Sequence, residues 1–134
     1  MPEGTITPAQ YEIMEVVWAH GKTGATVAEI WKAVSVERPV VRTTVLNLVD
    51  RLEKRGWLGR ENIAGVYRYT ATASRDKTAA SLASEFMDDF FGGSATSLVM
   101  SLLGSKRVKP ADVERLRSLL RSYSPKGAKR KGKR

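Results

Sequence analysis

The feature that most constrains this chain is a change of hydrophobic period at Gly56. Before it, apolar residues recur every three or four positions; after it, that period is lost until Ser74, and Tyr67, Tyr69 and Ala71 alternate with Arg68 and Thr70. The first period specifies helices with one buried face, and the second specifies half-buried strands. Local punctuation sharpens the helical part. Thr7-Pro8-Ala9-Gln10 joins a capping threonine, a proline suited to the first helical position and a glutamine that completes a capping box. Tyr11, Ile13, Met14, Val17 and Trp18 follow as an apolar stripe, and His20-Gly21 ends the helix. Thr26-Val27-Ala28-Glu29 is a second capping box, with Val27, Ile30, Trp31 and Val34 as its apolar face and an end near Ser35. Pro39 places a turn at 36–40, because the residue before a proline avoids helical geometry.

A third helix is predicted from about Val41 to Arg55, closed by Gly56. Val45, Leu48, Val49 and Leu52 form one buried stripe. At 100° per residue, Thr43, Asn47, Asp50 and Lys54 lie opposite, with Thr44 and Arg51 on the flank. Threonines and an asparagine opening the free face suit the reading of base edges. Asparagine pairs bidentately with adenine, and threonine donates, accepts or touches a thymine methyl. Residues 57–63 and 66–71 then read as two strands around Ala64-Gly65, with Tyr67 and Tyr69 on one face and Arg68 on the other. Helix, helix, helix, hairpin is the order of a winged helix-turn-helix, with the hairpin as the wing.

From Ser74 the pattern is helical again. Leu82, Phe86 and Phe90 recur four apart until Gly92-Gly93 breaks the helix. Ser94 opens a shorter helix bearing Leu98, Val99, Leu102 and Leu103, ended by Gly104. A last helix starts near Pro110 and presents Val113, Leu116, Leu119 and Leu120. Apolar faces this wide exceed what three short helices can bury. They either pack back onto the winged module or pair with a second chain, and a reader of symmetric DNA gains from being a dimer. The fold class expected is therefore mainly α with a small β-hairpin wing. A winged helix-turn-helix domain over 5–73 is followed by a helical dimerisation domain over 74–123. A homodimer is expected through Leu82, Phe86, Phe90, Leu98, Leu102, Leu116 and Leu119.

Charge points the same way. The 134 residues carry a net +9, with 23 Lys and Arg against 14 Asp and Glu. Six of the cations are Lys126, Lys129, Arg130, Lys131, Lys133 and Arg134; 23 less these six leaves 17 against 14, a net of +3. Residues 124–134 therefore read as a disordered basic tail, either solubilising or gripping phosphates without sequence choice. A basic chain calls for a polyanionic partner, nucleic acid first. Cysteine is absent and His20 is the single histidine, so thiolate metal sites, cysteine nucleophiles and two-histidine mechanisms are excluded. No cofactor or metal is expected. The adjacent Asp88 and Asp89 diverge by 100° around a helix, and with Glu85 they have no histidine or third ligand to support a metal site, so they read as a solvated face. No apolar run nears the ~18 residues that span a bilayer, and no signal peptide is visible, so a cytoplasmic protein is the default.

Thr43, Thr44 and Asn47 are the candidate base contacts. Arg42 stands at the helix start, where the positive dipole end favours a phosphate, and it reads as a contact to a phosphate or a base edge. Arg51 either touches the DNA backbone or pairs with Glu12 or Glu15 of the first helix. Arg60 and Arg68 of the wing are phosphate candidates. Trp18, Trp31 and Trp57 each fall on an apolar face and read as core. No nucleophile and base can be assembled, so an enzyme is not expected.

These residues resemble the penicillinase-repressor, methicillin-resistance-repressor and copper-responsive repressor family (BlaI/MecI/CopY). The likeness rests on Thr7-Pro8-Ala9-Gln10-Tyr11-Glu12-Ile13-Met14 with Trp18, on Thr26-Val27-Ala28-Glu29-Ile30, and on Arg42-Thr43-Thr44-Val45. It continues through Arg51-Leu52-Glu53-Lys54-Arg55-Gly56-Trp57-Leu58, Tyr67-Arg68-Tyr69, Phe91-Gly92-Gly93-Ser94 and Ser97-Leu98-Val99, covering roughly residues 5–121. The resemblance implies a homodimeric transcriptional repressor on a palindromic double-stranded DNA operator. The copper-responsive branch carries a C-terminal cysteine motif, which a chain without cysteine lacks. The β-lactam branch is relieved by proteolysis in the dimerisation domain, and the resemblance implies a membrane-embedded sensor protease as a further partner. Ser101-Leu102 stands where that branch has its scissile Asn-Phe bond. The wing tip, often Gly-Arg in the family, is Ala64-Gly65 here. The alternative is an architectural, sequence-tolerant DNA-binding protein, which would carry more Lys and Arg on its third helix.

Overall fold

Both capping boxes form. In a computed structural model that describes residues 2–124, Thr7 Oγ1 accepts from the Gln10 N–H at 3.2 Å and Gln10 returns the bond at 3.0 Å, opening α1 (Pro8–His20). Thr26 and Glu29 do the same at 3.1 and 2.9 Å for α2 (Val27–Val34). A 3-10 turn at Gly21–Thr23 links them. Next come α3 (Arg42–Lys54), β1 (Leu58–Ile63) and β2 (Val66–Ala71). Ser74 and Ser94 cap α4 (Arg75–Phe91) and α5 (Ala95–Gly104), and Pro110 opens α6 (Pro110–Ser122).

β1 and β2 are antiparallel, in register from Leu58 opposite Ala71 to Ile63 opposite Val66. The turn between them has positive φ at both central residues, 55° at Ala64 and 84° at Gly65. That twist matches a two-residue hairpin. Asn62 Oδ1 accepts the Gly65 N–H at 2.9 Å. The sheet gains a third member that the periodicity does not announce. Ala25 exchanges both backbone bonds with Tyr69, at 2.9 and 2.8 Å. Gly24 permits this, since it has a φ of +74° and a Cβ there would lie 2.9 Å from the Tyr69 carbonyl oxygen.

The core sits between α1, α2, α3 and the base of the hairpin. Ile13, Met14, Val17, Ile30, Val45, Val49 and Leu52 are fully buried. Each contributes about 1.5–3 kcal/mol relative to exposure. Tyr69 is buried against them while Tyr67, on the same strand face, is exposed nearer the wing tip. The three tryptophans are wedges with polar handles. Trp57 is buried, and Trp18 and Trp31 pack against the core from its edge. Their indole N–H groups donate to the carbonyls of Ala73 (Trp18, 2.9 Å), Val40 (Trp31, 2.7 Å) and Glu3 (Trp57, 3.1 Å). Each bond ties a connecting segment to the core.

The chain divides into two compact units, Met1–Ser84 and the remainder from Glu85. The first unit thus ends inside α4, not at residue 73. Thr78 is buried, Arg75 pairs with Glu15 at 3.1 Å, and Leu82 packs against the winged core. Leu82, expected on the dimer surface, is therefore a side chain of the winged unit. In the second unit Phe86 contacts Phe90 and Phe91, with ring centroids 5.0 and 5.8 Å apart. None of its described side chains is fully buried. Residues 125–134, nearly all of the expected basic tail, lie outside the described residues.

Candidate nucleic-acid interface

α3 is the organising element of the site. Val45, Val49 and Leu52 are its buried stripe, with Leu48 half-buried beside them. The opposite face is free: Thr43, Thr44, Asn47, Asp50 and Arg51 are all exposed. The side chain of its N-cap, Val41, makes no capping bond. The helix start is instead held by Trp31, whose bond to the Val40 carbonyl fixes the approach to α3. Arg42 then lies over the Trp31 ring, 5.7 Å from its centroid. Such stacking orients a guanidinium while leaving its N–H edge available.

The wing is fastened to α3 at one flank. Arg60 Nε is 3.1 Å from Glu53 Oε2, and the same guanidinium lies 4.2 Å from the centre of the Tyr67 ring. Between α3, the start of α2 and the wing lies an open cleft of about 520 Å³. Arg42, Leu46, Arg60 and Tyr67 line it, with Thr26 and Ala28 at the α2 end. It therefore presents two arginines, each lying over an aromatic ring, together with apolar lining residues such as Leu46 and Val66.

Not every candidate cation is equally available. Arg68 Nη1 donates to the Gly24 carbonyl at 3.2 Å and stands 3.5 Å from Glu29 Oε1. It braces the wing against α2, so its reach toward a phosphate is limited. Arg51 has neither acid that the sequence offered it. Glu12 pairs with Arg38 at 2.7 Å and Glu15 with Arg75, while Arg51 is exposed. Asp50 and Lys54 pair along the outer face of α3 at 3.1 Å. His20 Nδ1 lies 2.9 Å from the Val16 carbonyl oxygen, and its Nε2 is 3.8 Å from Glu29. Glu29 is held below its ordinary pKa, first by the Thr26 backbone N–H and, against the cost of burial, by the charges of Arg68 and His20.

Sequence periodicity missed two features of this surface. Leu46 is an exposed apolar residue on an otherwise polar flank, and Val41 is another at the helix entry. Both are visible in the sequence as apolar residues outside the buried stripe. Among the described residues, no group of three or more His, Cys, Asp or Glu could hold a metal ion. Nor is any described helix long and apolar enough to cross a membrane. Ser101 and Leu102 are exposed within α5.

Comparison with known proteins gives a consistent picture. A penicillinase repressor from Staphylococcus aureus is 26% identical over 121 residues, covering 90% of this chain and 94% of that protein. The methicillin resistance regulatory protein MecI of Mammaliicoccus sciuri is 23% identical over 115 residues, covering 86% and 92%. Among solved structures, a MepR variant from S. aureus matches with a TM-score of 0.51 at 23% identity, covering 86% of this chain and 75% of that one. That likeness concerns the fold, a winged helix followed by helices. The family model for the penicillinase repressor matches residues 6–122. The chain belongs to the penicillinase repressor family.

Proposed function

We propose that this chain is a sequence-specific transcriptional repressor that binds a palindromic operator as a homodimer in the cytoplasm. Membership of the family makes it a DNA-binding transcriptional repressor and not an enzyme. The observation that carries the sequence-specific reading is the free face of α3. Arg42 stands at the helix start, and Thr43, Thr44 and Asn47 are exposed behind it. Phosphate contacts position a protein on a duplex, and base-edge contacts choose the sequence. Arg42 and Arg51 serve the first purpose, with Arg60 sharing its guanidinium between Glu53 and a phosphate and Arg68 as a brace. Thr43, Thr44 and Asn47 serve the second. An architectural binder has no use for an outer face so poor in unpaired cations.

The homodimer is supported by the second unit. Phe90 is 70% exposed and Leu119 62%, with Phe86, Leu102 and Leu116 also exposed and Leu98 half-buried. Apolar surface of this extent on a single chain marks an interaction site. Relief of repression by proteolysis at Ser101-Leu102, by a membrane-embedded sensor protease, completes the reading. The bond lies in a helix without buried side chains, so local opening to the extended form that a protease needs costs little.

The test is competition between a duplex selected from a randomised pool and a random duplex. The native chain should prefer the selected duplex strongly. Asn47→Ala should lose ~1–3 kcal/mol of that preference with little change on random DNA. Equal weakening on both duplexes would make α3 a phosphate-binding element and favour the architectural reading.

A further inference from the structure

We propose that Leu46 reads the 5-methyl group of a thymine in the bound DNA, an assignment that rests on the DNA-binding reading above. A single exposed leucine needs no explanation by itself. Its surroundings are what set this one apart. Leu46 is 48% exposed and is not among the side chains packed against the core. It follows Arg42 by four residues and Thr43 by three, and it precedes Asn47, so it shares the helical surface of the candidate contacts. It also lines the cleft between α3 and the wing.

The cleft explains what would meet it. The Arg42 and Arg60 guanidiniums that line the cleft lie over the Trp31 and Tyr67 rings. A DNA strand drawn in by these two guanidiniums brings its base edges across the cleft, where Leu46 is the exposed aliphatic side chain of α3. Leucine can neither donate nor accept a hydrogen bond. Of the groups that the major groove displays, N7, O6, O4 and the exocyclic amines are polar, and any of them set against Leu46 would lose its water without a partner. The thymine methyl is the apolar group that projects furthest into the groove; cytosine offers only a C5–H there, beside its polar N4 amine. Leu46 thus favours thymine by contact and disfavours the other bases by desolvation, which is selection by both attraction and exclusion.

The experiment uses the full chain and the duplex recovered from a randomised pool. Each thymine is replaced in turn by deoxyuridine, which removes one methyl and leaves every hydrogen-bonding group in place. At one thymine per half-site the native chain should bind about four-fold more weakly, the value expected for one buried methyl. Leu46→Ala, which removes the contact from both protomers, should bind the thymine duplex at least as weakly as the native chain binds a duplex with uracil in both half-sites, and show no further loss on uracil. A uracil penalty that survives in Leu46→Ala would assign the methyl to another side chain and overturn the proposal. So would a scan in which no uracil matters although the sequence preference is intact. A Leu46→Ala protein that melts several degrees lower and keeps the penalty would make Leu46 a packing residue. A pool that yields no preferred sequence would remove the sequence-specific reading itself, and this assignment with it.

Discussion

Arg68 and Glu29 join the second wing strand to the start of α2: Arg68 Nη1 stands 3.5 Å from Glu29 Oε1 and donates to the Gly24 carbonyl at 3.2 Å. The same carboxylate oxygen accepts the Thr26 N–H at 2.9 Å. One side chain therefore closes a capping box and fixes the wing relative to the helix-turn-helix. The wing's position decides the width of the cleft beside α3, so this contact bears on DNA binding as well as stability.

Replacing Glu29 by glutamine isolates the charge, because glutamine can still serve the capping box. The Glu29 pKa is lowered from its ordinary 4.5 in the folded chain, first by the Thr26 N–H and then by Arg68 and His20. A carboxylate with a depressed folded pKa adds stability that is fully present above its unfolded pKa. That stability is lost as pH falls through the folded value. Glu29→Gln should thus be less stable than the native chain at neutral pH. The gap should close only as pH drops below 4.5. Denaturant midpoints measured across the acid range check this; a gap that stays constant would mean that the charge contributes nothing.

The wing tip carries removable strain. Ala64 has a φ of 55°, in the left-handed region that alanine adopts at a cost, and Gly65 beside it has 84°. A two-residue hairpin turn with both φ positive prefers asparagine followed by glycine. Ala64→Asn should raise stability by ~0.5–1 kcal/mol. The thermal midpoint would rise by a few degrees, with operator affinity unchanged. Gly65→Ala should shift it the other way.

Much of this fold is legible in the sequence because its signals are local. Thr7 with Gln10 and Thr26 with Glu29 announce two helix starts, and both boxes form. The α3 stripe of Val45, Val49 and Leu52 is buried as its spacing requires. What escapes the sequence is non-local. The Ala25–Tyr69 backbone pairing joins residues far apart in the chain, and Gly24 is its only trace. The exit of β2 is pinned by the Trp18 bond to Ala73, so α4 begins within the winged unit and draws Leu82 onto its core. Leu82 has the same period as Phe86 and Phe90, and period alone cannot tell which partner a helix face meets. The availability of a cation depends in the same way on the folded surroundings. Arg68 and Arg51 look alike in sequence, yet one is braced by Glu29 and the other is exposed.

A charge on the exposed face of α4 tests the dimer. Phe90 lies in the second unit and is 70% exposed, so Phe90→Asp leaves the winged core untouched. Two aspartates meeting across a two-fold interface would be desolvated together, and the pair should dissociate. Sedimentation at micromolar concentration should give a dimer for the native chain and a monomer for the variant, with equal helix content. The native footprint should cover two half-sites ~10 or ~20 base pairs apart, centre to centre, and the variant should lose this cooperative pattern. A native chain that sediments only as a monomer would count against the dimer.

The basic C-terminal residues should act on a different part of the binding free energy from α3. Lys126, Lys129, Arg130, Lys131, Lys133 and Arg134 are six charges with no apolar company except Ala128. Lysines and arginines at this density are expected to meet chiefly phosphates, which every duplex presents. Each phosphate that a cation neutralises frees a counterion, so removing the cation lowers affinity for every duplex alike. Deleting residues 124–134 should reduce the slope of log affinity against log salt by up to ~0.9 for each phosphate no longer neutralised. The ratio of operator to random-duplex affinity should survive, because Thr43, Thr44 and Asn47 remain. Measuring both duplexes at several salt concentrations separates the two effects. An unchanged slope would show that these residues keep the chain soluble and take no part in binding. A lost preference would show that they orient the protein on its operator.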